Sequence, residues 1–112
     1  RNSVEFSTDL DEGPPRTLHV AGPVDITTVA EFADRIGTAS RGGVHPVVVD
    51  LTDVDVLASA GVSALFQARS QHATHGHPLI ILAEAGSVPA DVLDLVGLDY
   101  VAHDDGEPTV PQ

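Results

Sequence analysis

Residues 47–66 read VVVDLTDVDVLASAGVSALF, and this stretch decides the fold. It opens with Val47–Leu51, a nearly uniformly apolar run that is typical of a central strand covered on both faces of a sheet. Thr52–Asp55 is predicted to be a turn. From Ser59 apolar residues recur at helical spacing, so a helix is expected to run to about Thr74. A buried strand that leads into a helix indicates an α/β fold.

The segments on either side continue the alternation of strands and helices. Gly22-Pro23 is expected to break the second strand, and Pro89 and Gly97 mark the start and the end of the last helix. Six further elements are predicted: strands at Val4–Thr8 and Thr17–Val20, a helix from Val29 to Ala39, a strand at Pro78–Ala83, a helix at Val88–Val96 and a short strand at Tyr100–His103. This order predicts an α/β domain with one mixed sheet of four to five strands and helices packed mainly on one face.

The chain of 112 residues is long enough for one small domain with a single core. We expect this domain to cover residues 1–103 and residues 104–112 to form a flexible acidic tail. Because the sequence contains no methionine, we interpret it as a domain cut from a longer protein. Six apolar side chains are expected to share the core: Phe32, Ile36, Val48, Leu65, Ile80 and Leu93.

Charge is the strongest signal in the composition. The chain has 17 Asp and Glu residues against 5 basic residues, which gives a net charge of −12 with neutral histidines. A field of this sign repels nucleic acid and anionic lipid, so neither is expected as a partner, and a protein with a basic face is favoured. The alternative is that the carboxylates only keep the domain in solution. Cysteine is absent, which excludes disulfides and thiolate metal sites.

Ser59 stands where the central strand gives way to a helix, and three interpretations of it are open. It can cap the helix, act as a nucleophile or accept a phosphoryl group, because free N–H groups and the helix dipole favour an anion at this end. The nucleophile pattern Gly-x-Ser-x-Gly has Leu57 in place of its first glycine, and the chain is too short for the usual hydrolase sheet.

Two other clusters carry groups that ligate metals or transfer protons. His72, His75 and His77 suit zinc by residue type, but a solvated helix end accounts for them better, since no fixed backbone presents all three rings together. The three aspartates of residues 50–55 suit acid–base or magnesium chemistry, although acidic turns are also common for plain capping reasons. We therefore expect no metal and no other cofactor.

The motifs in this order resemble those of a known family, the STAS domain of anti-sigma factor antagonists. The resemblance starts with Val20–Asp25 ahead of a helix and continues with Val47–Leu51, Asp53–Asp55 and the signature-like Leu57–Val62. Val88–Leu98 is similar to the late helix of the family and its closing Gly-Leu. Together these segments cover nearly all of the predicted domain.

The resemblance implies a set of site residues. The family's phosphoacceptor serine falls on Ser59, its preceding aspartate is replaced by Ala58, and Asp25 matches an aspartate that lies close to the phosphoserine turn. The implied partner-binding residues are Asp25, Thr27, Asp55, Ala58, Ser59, Ala60, Gly61 and Ser63.

The resemblance also implies a function without catalysis. The unphosphorylated domain would bind an anti-sigma factor serine kinase in the cytoplasm and free a sigma factor, as in transcription regulation under stress. Phosphorylation of Ser59 would end the contact, and a PP2C-type phosphatase would reset it. One arrangement of the longer parent chain is a fusion of this domain to such a kinase or phosphatase. Two alternatives are a STAS-type scaffold or regulatory module of a signalling assembly or transporter without a phospho-switch, and a small hydrolase or metalloenzyme.

Overall fold

The computed structural model describes residues 5–103, which form one sheet of five strands and three helices. Val4 of the first predicted strand and the predicted tail, residues 104–112, lie outside the described residues. No helix in the described part of the chain has both the length and the apolar character needed to cross a membrane. The elements in chain order are β1 (Ser7–Asp11), β2 (Thr17–Val24), α1 (Val29–Ser40), β3 (Val47–Leu57), α2 (Ser59–His75), β4 (Leu79–Glu84), α3 (Val88–Val96) and β5 (Val101–His103).

The sheet is mixed, and its strands follow one another in the order β1-β2-β3-β4-β5. β1 runs antiparallel to β2, and every other neighbouring pair is parallel. Alternate strand residues are buried together with the inner residues of the three helices in one cluster. The predicted fold class is therefore confirmed, and the ends of β2 and β3 lie side by side at one edge of the sheet.

The core contains four of the six predicted side chains. Phe32, Ile36 and Leu65 are buried, as is Leu93. Val48 is only partly buried and Ile80 is 41 % exposed, so their assignment to the core was wrong. Both alternate with buried residues along their strands and so lie on the sheet face that the core does not cover. An apolar run does not by itself show whether one face or both are covered.

The two strands that carry the site are longer than predicted. β3 continues through Thr52–Asp55, where a turn was expected, and β2 continues through Gly22-Pro23, where a break was expected. Ala21–Val24 pairs with residues 53–57, and register shifts beside Gly22 absorb the irregular backbone. Pairing between the strands, with Val54 buried below them, outweighs the local preference for turns.

The remaining boundaries differ from the predictions by small shifts. β1 ends at Asp11 rather than at the predicted Thr8, because its pairing with β2 extends to Asp11. α3 has the predicted limits: the Ser87 hydroxyl accepts a hydrogen bond from the Ala90 N–H at 3.2 Å, and Gly97 closes the helix with φ 74°. Local capping signals of this kind are readable from the sequence alone.

Candidate docking surface around Ser59

Ser59 is the first residue of α2, and its side chain is exposed. Ala58, with extended backbone angles of φ −82° and ψ 169°, occupies the cap position, and no side chain caps this helix. The interpretation of Ser59 as a helix cap was therefore wrong. Its hydroxyl makes no hydrogen bond to any residue in the described range 5–103, so it is free to react with a partner.

Gly61 explains how the start of α2 is held against the sheet. A Cβ atom at this buried position would lie 2.6 Å from Val24 Cγ1 and 2.9 Å from Leu57 Cδ1, so only glycine permits the contact. The Ala58 N–H also donates to the Val24 carbonyl at 2.9 Å. These two contacts, on either side of Ser59 in the chain, hold the start of α2 against the ends of β2 and β3. The predicted site residue Gly61 thus shapes the surface from below.

Asp25 begins a tight turn between β2 and α1. The Thr28 N–H donates to the Asp25 carbonyl at 3.1 Å, and the Asp25 N–H donates to Thr28 Oγ1 at 3.0 Å. Asp25 Oδ1 accepts from the Thr27 hydroxyl at 2.6 Å and from the Thr27 N–H at 2.9 Å. These hydrogen bonds, that of the Thr27 side chain first, lower the pKa of Asp25, so its carboxylate is charged at neutral pH.

The residues that reach solvent at this edge combine acid, hydroxyl and apolar groups. Ile26, at the tip of the turn, is 80 % exposed, and Val56, which pairs with Pro23 across the sheet, is 45 % exposed. Ser63 follows Ser59 by one helical turn and is exposed as well. We call Asp25–Thr27, Val56, Ser59 and Ser63 together the Ser59 surface. Sequence reasoning missed Ile26 and Val56, because a single apolar residue in a turn or strand carries no periodic signal.

The predicted residues Asp55, Ala58 and Ala60 border this surface. All three are partly buried, and Asp55 Oδ1 is fully buried without a hydrogen-bond partner in the described part of the chain. Asp55 lines an open groove with Glu84 and Ser87 on the side of β4 and α3. A buried acceptor beside a groove is suited to a donor from a docked protein.

Asp50, the first aspartate of the acidic segment, belongs to a different place. It lies on β3, where its Oδ2 is 2.7 Å from His19 Nδ1 and its Oδ1 accepts from the Thr52 hydroxyl at 2.7 Å. Burial alone would raise the pKa of Asp50, but the hydrogen bonds from Thr52 and His19 outweigh burial and lower it. The expectation that the three aspartates of residues 50–55 form one cluster in a turn was therefore wrong, because they lie on β3 and Asp50 bonds to His19 and Thr52.

The three histidines near the end of α2 also lie in different environments. His72 is 1 % exposed, and neither of its ring nitrogens has a hydrogen-bond partner among the described residues. His75 is exposed and His77 is partly buried. The expectation of a solvated helix end is wrong for His72, which continues the buried helical stripe of Leu65 and Ala68. Within residues 5–103 no three His, Cys, Asp or Glu side chains are placed to hold a metal ion.

Comparisons with known proteins agree with this fold. The family model described as STAS domain matches residues 7–110. A crystal structure of an anti-sigma factor antagonist from Mycobacterium paratuberculosis is similar, with a TM-score of 0.73 and 21 % identity over 85 % of this chain and 80 % of that one. The anti-sigma factor antagonist SpoIIAA in its unphosphorylated form has a TM-score of 0.70 and 19 % identity, with 90 % of each chain covered. The phosphorylated form of SpoIIAA, a Bacillus cell fate determinant, has a TM-score of 0.67 and 17 % identity over 90 % of this chain and 93 % of that one.

Proposed function

The chain belongs to the STAS domain family, and from this premise we propose that it is an anti-sigma factor antagonist switched by phosphorylation of Ser59. Its unphosphorylated form binds an anti-sigma factor serine kinase through the Ser59 surface and frees a sigma factor in the cytoplasm. Phosphorylation ends this contact, and a PP2C-type phosphatase restores it. The domain itself catalyses no reaction, and residues 1–103 act as one module that can be fused to such a kinase or phosphatase.

One observation carries the proposal: the hydroxyl of Ser59 is exposed at the first position of α2 and makes no hydrogen bond within residues 5–103. The N–H groups of a first helical turn lack partners within the helix, and the positive end of the helix dipole favours an anion there. The first turn of α2 contains no acidic residue that would compete for this place. A phosphoryl group on Ser59 is thus stabilised by the helix that carries it.

The phosphoryl group on Ser59 also disfavours docking to the kinase. Phosphorylation adds about −1.5 to −2 charges at neutral pH. In a complex the phosphoryl group would lie on the same surface as the apolar side chains Ile26 and Val56 and the carboxylate of Asp25, on a domain that already carries a net charge of −12. It must then lose water and adds to the negative charge of Asp25, while its bulk separates the two surfaces. Docking of the unmodified serine has neither penalty.

Mass spectrometry after incubation with a purified anti-sigma factor serine kinase and Mg-ATP tests the modification. We expect one phosphoryl group on the parent domain, located on Ser59, and none on Ser59→Ala. Ser63→Ala is the matched control, because it removes an exposed hydroxyl one turn away and should still be phosphorylated. Phosphate on Ser63 instead, or on neither serine with every kinase tested, would contradict the proposal.

Titration calorimetry against the same kinase tests the switch. Ser59→Ala should bind as the parent does, and since Ser59 makes no capping bond its unfolding free energy should change by less than about 0.5 kcal/mol. Ser59→Glu should bind more weakly by about 1–3 kcal/mol, most visibly at low salt. Equal affinity of the parent, Ser59→Ala and Ser59→Glu for the kinase would contradict the proposed switch.

The alternative function is a STAS-type scaffold or regulatory module without a switch. The replacement of the family's aspartate by Ala58 favours it, because the kinase would lose a charged group beside the serine. In that case the domain binds a partner through the same fold, but Ser59 carries no phosphate and the Ser59→Glu variant retains its affinity.

A further inference from the structure

We propose that Ile26 is the apolar anchor of the Ser59 surface: it inserts into an apolar pocket on the protein partner, and basic side chains line the rim of that pocket. The inference rests on the proposed function, whose docking contact it makes specific. It assigns a role to Ile26, which lies outside the signature-like segment Leu57–Val62 and is not the phosphorylation site.

The turn that carries Ile26 is held in place before any partner arrives. Four hydrogen bonds link Asp25 with Thr27 and Thr28 through both backbone and side chains, at 2.6–3.1 Å. The Thr28 hydroxyl also donates to the Pro23 carbonyl at 2.9 Å, which ties the turn to the end of β2. A side chain on a rigid support loses little conformational freedom when it binds, and this saving increases affinity.

The exposure of Ile26 is unusual for its position. The side chain is 80 % exposed although it lies between two elements that bury nearly all of their large apolar residues, such as Val24 and Phe32. Val56, 45 % exposed, lies across from Pro23 at the end of the neighbouring strand. Ile26 follows the end of β2, and Val56 lies near the end of β3, the strand that leads into Ser59, so these two apolar side chains form the centre that a docked protein would keep dry.

The charges around this centre define the partner. Asp25 precedes Ile26, and Asp53 and Asp55, which precede Val56 on β3, line the adjoining groove beside β4 and α3. Every charged side chain between Ala21 and Asp25 or between Asp53 and Ser63 is a carboxylate. A complementary surface therefore has an apolar pocket surrounded by arginine or lysine.

Calorimetry with the anti-sigma factor serine kinase that binds the parent domain tests the inference. We expect Ile26→Ser to bind about 10- to 100-fold more weakly. Leu95→Ser is the matched control, because Leu95 is 85 % exposed but lies at the end of α3; it should bind like the parent. Urea unfolding should show both variants as stable as the parent, since both positions are exposed.

The salt dependence separates an apolar anchor from an electrostatic effect. The loss caused by Ile26→Ser should be the same at low and at high salt, whereas Asp53→Asn should weaken binding mainly at low salt. If Ile26→Ser binds as tightly as the parent, the anchor is refuted and the proposed function stands. If no anti-sigma factor kinase binds the parent domain, the proposed function fails, and the anchor with it.

Discussion

At the scale of single residues, His72 shows how burial makes a side chain sensitive to pH. Burial lowers the pKa of His72 below its ordinary value of 6.5, because the positive charge would lose its water, and this effect outweighs the nearby backbone groups of His77 and Pro78, which raise the pKa. The unfolded chain then binds a proton more readily than the folded chain. Stability from this residue is complete above pH 6.5 and is lost as the pH falls below that value.

We therefore predict that the unfolding free energy declines as the pH falls from about 7.5 to about 5.5, a range that spans the unfolded pKa of 6.5. His72→Leu, which replaces the ring with an apolar side chain, should flatten this decline. His75→Ala, an exposed change in the same helical turn, should leave most of the decline in place, because the charge of His75 is the smallest cause of the lowered pKa. Urea titrations at both pH values measure the difference. An equally steep decline in His72→Leu would show that another group is responsible.

At the scale of elements, the start of α2 depends on Gly61 more than on a cap. We predict that Gly61→Ala lowers the unfolding free energy by about 1–3 kcal/mol, because its Cβ would overlap Val24 and Leu57. It should also weaken docking, since α2 and Ser59 must shift away from the sheet. Urea unfolding and calorimetry measure the two effects.

Gly37 in α1 is the matched control for that change. A Cβ at Gly37 meets nothing within 4 Å, so Gly37→Ala should instead stabilise the domain by about 0.5–1 kcal/mol through helix propensity. A Gly61→Ala variant as stable as the parent would mean that α2 does not pack on β2 and β3 as closely as described.

The ends of α3 and β3 show which element boundaries a local sequence pattern predicts and which it does not. The limits of α3 were predicted correctly, because Ser87, Pro89 and Gly97 act on their own helix within a few residues. The end of β3 was not, because Asp53–Leu57 becomes a strand only by pairing with Ala21–Val24, more than 30 residues earlier in the chain. Among the site residues, Ser59 was predicted from its motif, whereas the end of β2, which leads into Ile26, is brought to the end of β3 only through that pairing.

At the scale of the whole molecule, charge determines which partners are excluded. With a net charge of −12, the domain should bind neither duplex DNA nor vesicles of anionic lipid at physiological salt. Fluorescence anisotropy with labelled DNA and co-sedimentation with phosphatidylserine vesicles measure this. Micromolar affinity for either would mean that arginines gather into a basic patch strong enough to overcome the overall field.

The sequence by itself determined the order of the elements, the α/β class, the sign of the electrostatic field and the candidate Ser59. These depend on composition, on periodicity and on caps, which act over a few residues. Only the tertiary structure decided that Ile80 reaches solvent, that His72 is buried and that Val24 and Leu57, each two residues ahead of Ile26 and Ser59, are paired. Burial and proximity are set by which distant segment packs against a residue, and the carboxyl ends of two parallel strands meet only after the sheet has formed.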